Sequence, residues 1–484
     1  MIWSIIFMSM LFLSGRSELL TWNRHHQTCS MDINMAEFGG LQDFGSRNAE
    51  LNFTCNDNSY LTYMRGIIKE NSPSEYYTSI FQAIVDMYTD LDDARKPRIF
   101  SLDNSNSKKM KLSEPYSSNT VLIHPISFCI PEEHVLRTVP AKVKPFGRVI
   151  PGMQSTYFDL VNETQYYEDM EQSLFAITFK KGGWDCLRHL EILASGSLPL
   201  FPNIKHCPHQ TLTAHPKKVY QLLLKFPGLD LQATRTGLHT MSVEKLALSP
   251  PQLDSFGSEA YGAITAALLQ YTRNVLTTKA MAMYVLQTMK NYSKGMITSA
   301  NPRLVLYLTH QDHDMDKGDY MTDFLLHGLR AVLGHSAIVD FPRRDGLYKT
   351  AAELNRTSYL ARRQQLYGGG FTWGLTIDDP LGTIRIGGKS GTVSDQNKAG
   401  YVPSREPSNV RRGIEEGHFD MIILGSGHRD GWASKLHFWD LVCKHYSPLK
   451  VGFVDGSDKH LPRKLIERYS PCAGHLFSRE GYVD

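Results

Sequence analysis

The stretch Gly182–Phe201, GGWDCLRHLEILASGSLPLF, carries reactive side chains at helical spacing. On an α-helix, Trp184, Arg188, Glu191 and Ser195 fall within roughly 60° of one another, while Leu187, Leu190, Leu193 and Ala194 take the adjoining broad face. Arg188 and Glu191 on one stripe admit two readings. As a solvated i,i+3 pair they add about 0.2–0.5 kcal/mol to the helix. As ligands, the guanidinium fits phosphate through its planar fork, and the carboxylate accepts two hydrogen bonds from a vicinal diol. The preceding residues favour the second reading. Lys180, Lys181, Gly182 and Gly183 make a basic turn of small residues between an apolar strand and the helix, where backbone amides and the helix N-terminus attract anions.

Glu191, Ala194, Gly196 and Pro199 form an E-x-x-A-x-G-x-x-P pattern. This resembles the donor-binding element of two-Rossmann (GT-B) glycosyltransferases, especially the exostosin-like family. The resemblance implies that Glu191 holds the ribose hydroxyls of a nucleotide sugar. It also implies that Arg188 with Lys180 or Lys181 faces the diphosphate, and that Gly182 and Gly183 supply the close-approach turn. It covers residues 120–210 best. In that family the donor domain comes second, whereas here the pattern sits in the first half, so residues 302–484 are expected to supply the partner domain, with the acceptor site and the catalytic base on its loops.

A second reactive stretch is THQDHDMDKGDY (309–320), directly after an apolar strand pattern. His310 or Asp312 could serve as the general base of a sugar transfer. Asp312 and Asp314 also resemble the manganese site of single-domain (GT-A) glycosyltransferases, so Mn2+ or Mg2+ is admitted as an alternative to a metal-free site. A calcium loop is excluded, because Lys317 stands where glycine is needed. The bland reading is an acidic, solvated loop whose Asp319 caps the next helix. GSGHRDGW (425–432) and DGSDKH (455–460) also follow strands and suit either a polar substrate or plain tight turns. YGGGFTWGLTIDDP (367–380) has three adjacent glycines and aromatic residues that could stack on a sugar. Nucleophile-elbow, zinc-protease and Walker sequences are absent.

The elements that must position these residues alternate. Residues 121–128 (strand), 166–173 (helix), 174–180 (strand), 183–195 (helix) and 197–201 (strand) predict one parallel α/β unit. Residues 303–310, 336–342, 419–428 and 450–460 (strands), with helices at 319–334 and 432–446, predict a second. The expected fold is α/β, with two Rossmann-like domains joined by a long helical segment. The expected order is a signal peptide (1–17), an irregular and helical N-terminal region (18–119), the donor domain (120–235), a helical connector (250–300) and the second domain (301–484). In open α/β sheets ligands bind at the carboxyl ends of the strands, which singles out the loops after Lys180, Leu308, Leu424 and Val454.

The apolar run Ile2–Leu13 has the length of a signal-peptide core and is shorter than the ~20 residues of a spanning helix, although an uncleaved anchor stays open. Glycosylation sequons begin at Asn52, Asn162, Asn291 and Asn355. Seven cysteines lack metal or redox spacing, and Cys29–Cys55 is the expected disulfide. A net charge of +3 without a Lys/Arg run gives no reason to invoke nucleic acid. The combined expectation is a glycosyltransferase of the secretory pathway, in the ER/Golgi lumen or secreted. It would need no cofactor and would move a sugar from a nucleotide-sugar co-substrate to a glycan or glycoprotein hydroxyl. The alternative is a non-catalytic glycan-binding or structural secreted protein that keeps the fold.

Overall fold

The computed structural model describes residues 75–101, 120–159, 162–235, 243–309, 320–343, 347–349, 371–372, 374, 376–378, 404–425 and 437–482. The signal peptide, Cys29 and Cys55, the sequons at Asn52 and Asn355, and the stretch containing His310, Asp312 and Asp314 lie outside those residues.

In chain order the elements are α1 (Glu75–Ala94), β1 (Arg98–Ser101), β2 (Thr120–Pro125), β3 (Lys144–Phe146), α2 (Glu163–Glu171), β4 (Ser173–Ile177), α3 (Leu187–Ala194), β5 (Leu198–Leu200), α4 (Lys217–Leu223), β6 (Asp230–Arg235) and β7 (Val243–Ser249). There follow α5 (Ser255–Val275), α6 (Thr278–Tyr292), β8 (Val305–Leu308), α7 (Tyr320–Leu333), β9 (Ile338–Phe341), α8 (Pro407–Glu415), β10 (Met421–Leu424), α9 (Trp439–His445), β11 (Val451–Asp455), α10 (Arg463–Tyr469) and β12 (His475–Ser478). The architecture is mixed α/β. A seven-stranded sheet runs β1-β2-β12-β11-β10-β8-β9, parallel throughout except for β1. A three-stranded parallel sheet runs β3-β4-β5, and β6 with β7 forms an antiparallel pair.

Both faces of the large sheet are covered. Leu306, Ile422, Phe453 and Leu476 face one apolar core with α8 and α10, while Tyr307, Ile423, Val454 and Phe477 face the other. That second core continues without a break through α5, α6 and α7 to β4 and α3 of the small sheet. Near-continuous apolar strands are what a doubly covered parallel sheet requires.

Two grouping expectations are corrected. The strand at 121–128 belongs to the large sheet: β2 lies parallel to β12, with Leu122 opposite His475 and Phe477 opposite His124. Val121, Leu122, Ile123 and His124 are buried, as a strand inside a doubly covered parallel sheet requires, whereas the three residues of β3 are only half-buried. The N-terminal region is also no separate irregular piece in its described part. Tyr77, Ile80, Phe81, Ile84 and Met87 put α1 into the common core, and β1 closes one sheet edge.

The expected connector is two helices with different tasks. The Asp254 carboxylate caps α5 by accepting from the Gly257 amide, and Tyr261 OH donates to the Leu174 carbonyl of β4 at 2.7 Å, which fixes α5 under the small sheet. Helix α6 crosses α7 at Gly328, where an added Cβ would lie 2.0 Å from the Thr278 carbonyl oxygen. Cys443 of α9 forms a disulfide with Cys472, just before β12. Gly328→Ala is expected to destabilise the fold by about 3 kcal/mol, because backbone rather than a flexible side chain must move. Urea unfolding measures this, and a loss below about 0.5 kcal/mol, the range of ordinary surface substitutions, would contradict the close crossing.

Candidate functional site

Strand β4 is buried along its length, and the chain leaves its carboxyl end through Thr178–Cys186 into α3. Every residue of α3 is buried, including Arg188 and Glu191. The helix ends as the sequence suggests. Gly196 takes φ 62°, its amide bonds the Leu193 carbonyl and the Ser197 amide bonds the Ile192 carbonyl, a paired C-terminal closure that turns the chain back into β5. Pro199 is tolerated because β5 is the edge strand.

The Glu191 carboxylate accepts one hydroxyl on each oxygen: Tyr166 OH at 2.6 Å on Oε2 and Thr372 Oγ1 at 2.9 Å on Oε1. Burial raises its pKa above the ordinary carboxylate range, while the two hydroxyls and Arg188 oppose that rise. The diphosphate role expected for Arg188 is corrected. Its Nε donates to the Ile177 carbonyl at 2.9 Å, Nη2 to the Val149 carbonyl at 2.8 Å and Nη1 to Tyr166 OH at 2.9 Å. Buried and turned inward, the fork orients Tyr166 on Glu191 and fastens α3 to the end of β4.

Gly182 and Gly183 sit close to other groups of the chain itself. A Cβ on Gly182 would meet Asp458 Oδ2 at 2.2 Å, and one on Gly183 would meet Glu480 Oε1 at 2.4 Å. Asp458 follows β11, and Glu480 follows β12. The carboxyl ends of these large-sheet strands therefore meet the loop at the carboxyl end of β4. Lys180 Nζ donates to the Gly182 carbonyl at 3.2 Å and lies 5.8 Å from the centre of the Trp184 ring, and Lys181 stays half-buried on the same turn.

Arg479 occupies the centre of this junction. Its Nε donates to Gly456 O at 3.1 Å, Nη1 to Asp185 O at 2.5 Å and Nη2 to Asp458 Oδ1 at 2.5 Å, with the guanidinium 4.2 Å from the Phe128 ring centre. Glu480 Oε1 accepts from the Asp185 amide at 3.0 Å, so an internal carboxylate sits where the basic turn was expected to receive phosphate. Burial pushes the Glu480 pKa up to about 7, against the pull of Arg479 and of the Asp185 and Trp184 amides. Asp185 behaves in the opposite way. Burial alone would raise it, but His215, Arg479 and the Phe128 amide hold it below the ordinary range. Its Oδ1 faces His215 Nε2 at 3.6 Å. His189 is kept neutral by burial, with its pKa pushed down to about 3. Since its Nε2 faces the Trp184 carbonyl at 2.9 Å, Nε2 carries the proton and Nδ1 accepts from Thr178 at 2.8 Å.

The structure thus brings Lys180, Lys181, Gly182, Gly183, Arg188 and Glu191 into one region. It adds Asp185, His189, His215, Tyr166, Thr372, Arg479 and Glu480, which sequence reading missed. The available signal was Arg479-Glu480 directly after the apolar run HLFS, a strand end like those already singled out. Among the described residues no group of three or more His, Cys, Asp or Glu side chains could hold a metal ion. Among those residues, too, no helix is long and apolar enough to cross a membrane. The chain matches no model of a known protein family, no curated protein and no solved structure.

A carboxyl group with a higher pKa folded than unfolded makes the folded chain bind protons more tightly. The Glu480 contribution to stability is therefore full below pH 4.5 and is lost as pH rises through about 7. The decline amounts to about 3 kcal/mol. Glu480→Gln is expected to flatten it, as read from urea midpoints between pH 4.5 and 8; an unchanged slope would contradict the assignment.

Proposed function

We propose that the protein is a glycosyltransferase that moves a sugar from a nucleotide-sugar donor to a hydroxyl of a glycan or glycoprotein acceptor. In this reading the three-stranded and seven-stranded sheets are the two Rossmann-like halves of a GT-B-like enzyme, in reversed chain order. The observation that carries it is the Glu191 carboxylate, which accepts two separate hydroxyls on its two oxygens. That is the hydrogen-bond pattern a ribose diol needs.

The placement of the site supports the same reading. Ligands of open α/β sheets bind beyond the carboxyl ends of the strands, and the ends of β4, β11 and β12 converge on the Lys180–Asp185 turn. Strands β8, β10, β11 and β12 are parallel, so their carboxyl ends share one sheet edge. His310 and Asp312 follow β8 in sequence and are proposed as the general base. Lys180 and Lys181 are proposed as the diphosphate partners, with Arg188 reassigned to positioning. Divalent metal at Asp312 and Asp314 remains the alternative assistance to the leaving diphosphate.

A secretory location accords with the Cys443–Cys472 disulfide, since such bonds persist in oxidising compartments. It accords also with the exposed Asn291, at the last turn of α6.

One observation favours a non-catalytic relative as the second reading: the Glu191 carboxylate, the Arg188 fork and the Asp185 amide are each engaged by internal partners. Calorimetric titration of the full chain with UDP, GDP, ADP and CDP separates the two. An enzyme of this kind binds at least one of them, and Glu191→Ala weakens that binding by about 10- to 100-fold, the worth of a charged hydrogen bond. If the wild-type protein takes up none at millimolar concentration, the non-catalytic reading replaces the transferase.

A further inference from the structure

Glu191 is covered on one side by a residue that reaches it from far along the chain. Thr372 donates through Oγ1 to Glu191 and through its amide to Glu163 Oε1 at 2.7 Å, and its hydroxyl also meets Tyr167 OH. Phe371 lies against Tyr166, with ring centres 5.7 Å apart. A few residues on, the Ile377 amide donates to the Leu347 carbonyl and the Ile377 carbonyl accepts from Lys349, beside Tyr348. Tyr348 OH in turn donates to Asp340 of β9. Phe371 and Thr372 thus lie against α2 and α3 beside the small sheet, and Ile377 pairs with Leu347 and Lys349 near the β9 edge of the large one.

Thr372 is buried and has φ 74°. A β-branched residue rarely adopts the left-handed region and stays there only when its surroundings hold it. The holding contacts are to Glu163, Glu191 and Tyr167. The two hydroxyls on Glu191 therefore differ in kind. Tyr166 belongs to a regular helix and is pinned by Arg188. Thr372 sits in a strained backbone that relaxes on leaving.

We infer that Phe371–Thr372 is a strap that occupies the Glu191 carboxylate and gives way to a ligand offering vicinal hydroxyls. The ligand's hydroxyls replace the Thr372 bond in kind, and the relaxed backbone adds to the exchange. The inference rests on the reading of Glu191 as a diol acceptor.

The test uses the full chain in three forms: wild type, Thr372→Gly, which suits the positive φ, and Thr372→Val, which keeps the branch and loses the hydroxyl. Circular dichroism confirms that each is folded. Carbodiimide-driven coupling of glycine methyl ester to Glu191, read by peptide mass spectrometry, needs no nucleotide. The strap predicts labelling at least about fivefold faster in both variants, and tighter binding of UDP, GDP, ADP or CDP by a similar factor, since the competent fraction rises. Equal labelling in all three proteins overturns the strap. Measurable nucleotide binding of equal affinity in wild type and variants overturns it as well. Faster labelling with no nucleotide bound by any form supports the strap and removes the diol reading of Glu191.

Discussion

One buried cation, Arg479, holds together the junction beside the candidate site. Arg479 follows β12 and donates to the loop after β11 and to the loop after β4, while packing on Phe128 beyond β2. A guanidinium taken out of water needs its donors satisfied and its charge balanced. Asp185, Asp458 and Glu480 provide the balance, and all three lie beyond strand carboxyl ends. The requirement to satisfy Arg479 thereby draws four strand ends from two sheets to one place. It also accounts for the crowding at Gly182 and Gly183: the carboxylates that surround Arg479 stand where a Cβ would be and would have to shift to admit one.

Seen from that junction, Glu191 and the Lys180–Asp185 turn are two halves of one cradle. Each half is assigned to a nucleotide sugar only in the function proposed above, and each is engaged by groups of the chain itself. Hydroxyls of Tyr166 and Thr372 meet the carboxylate, and the Glu480 carboxylate meets an amide of the basic turn. Internal partners of matching kind lower the cost of burying such groups, since an unsatisfied buried donor or acceptor costs about 1–3 kcal/mol. A ligand that displaces them substitutes one set of hydrogen bonds for another. The Glu480 carboxyl, poised near neutrality by burial, is the member of the set whose hold on the turn depends on protonation.

Local features of the sequence were readable because short-range physics sets them. The strand–turn–helix around Gly182, the Gly196 closure and the amphipathic α1 all follow from spacing and backbone preference within a few residues. Long-range pairing was not readable. Strand β2 alternates with helices in the chain as if it belonged with β4 and β5, but an apolar strand buried on both faces carries no register mark that names its neighbour, and it pairs with β12. The role of Arg188 failed for a related reason. Helical periodicity placed it beside Glu191 correctly, yet whether the fork turns outward or toward the Ile177 and Val149 carbonyls depends on a segment some forty residues earlier. The stretch around Thr372 drew notice for its glycines and aromatic residues, but nothing local named Thr372 itself, since its partners Glu163, Tyr167 and Glu191 are met only in the folded chain.

The most direct measurement of the central claim, that the cradle around Glu191 and the Arg479 junction is a single nucleotide-sugar site, is hydrogen exchange of the full-length protein with and without the nucleoside diphosphate that binds it best. Slowed exchange confined to peptides covering 180–192, 456–460 and 479–481 is the expected result. Protection elsewhere, with exchange in those peptides unchanged, would contradict the claim.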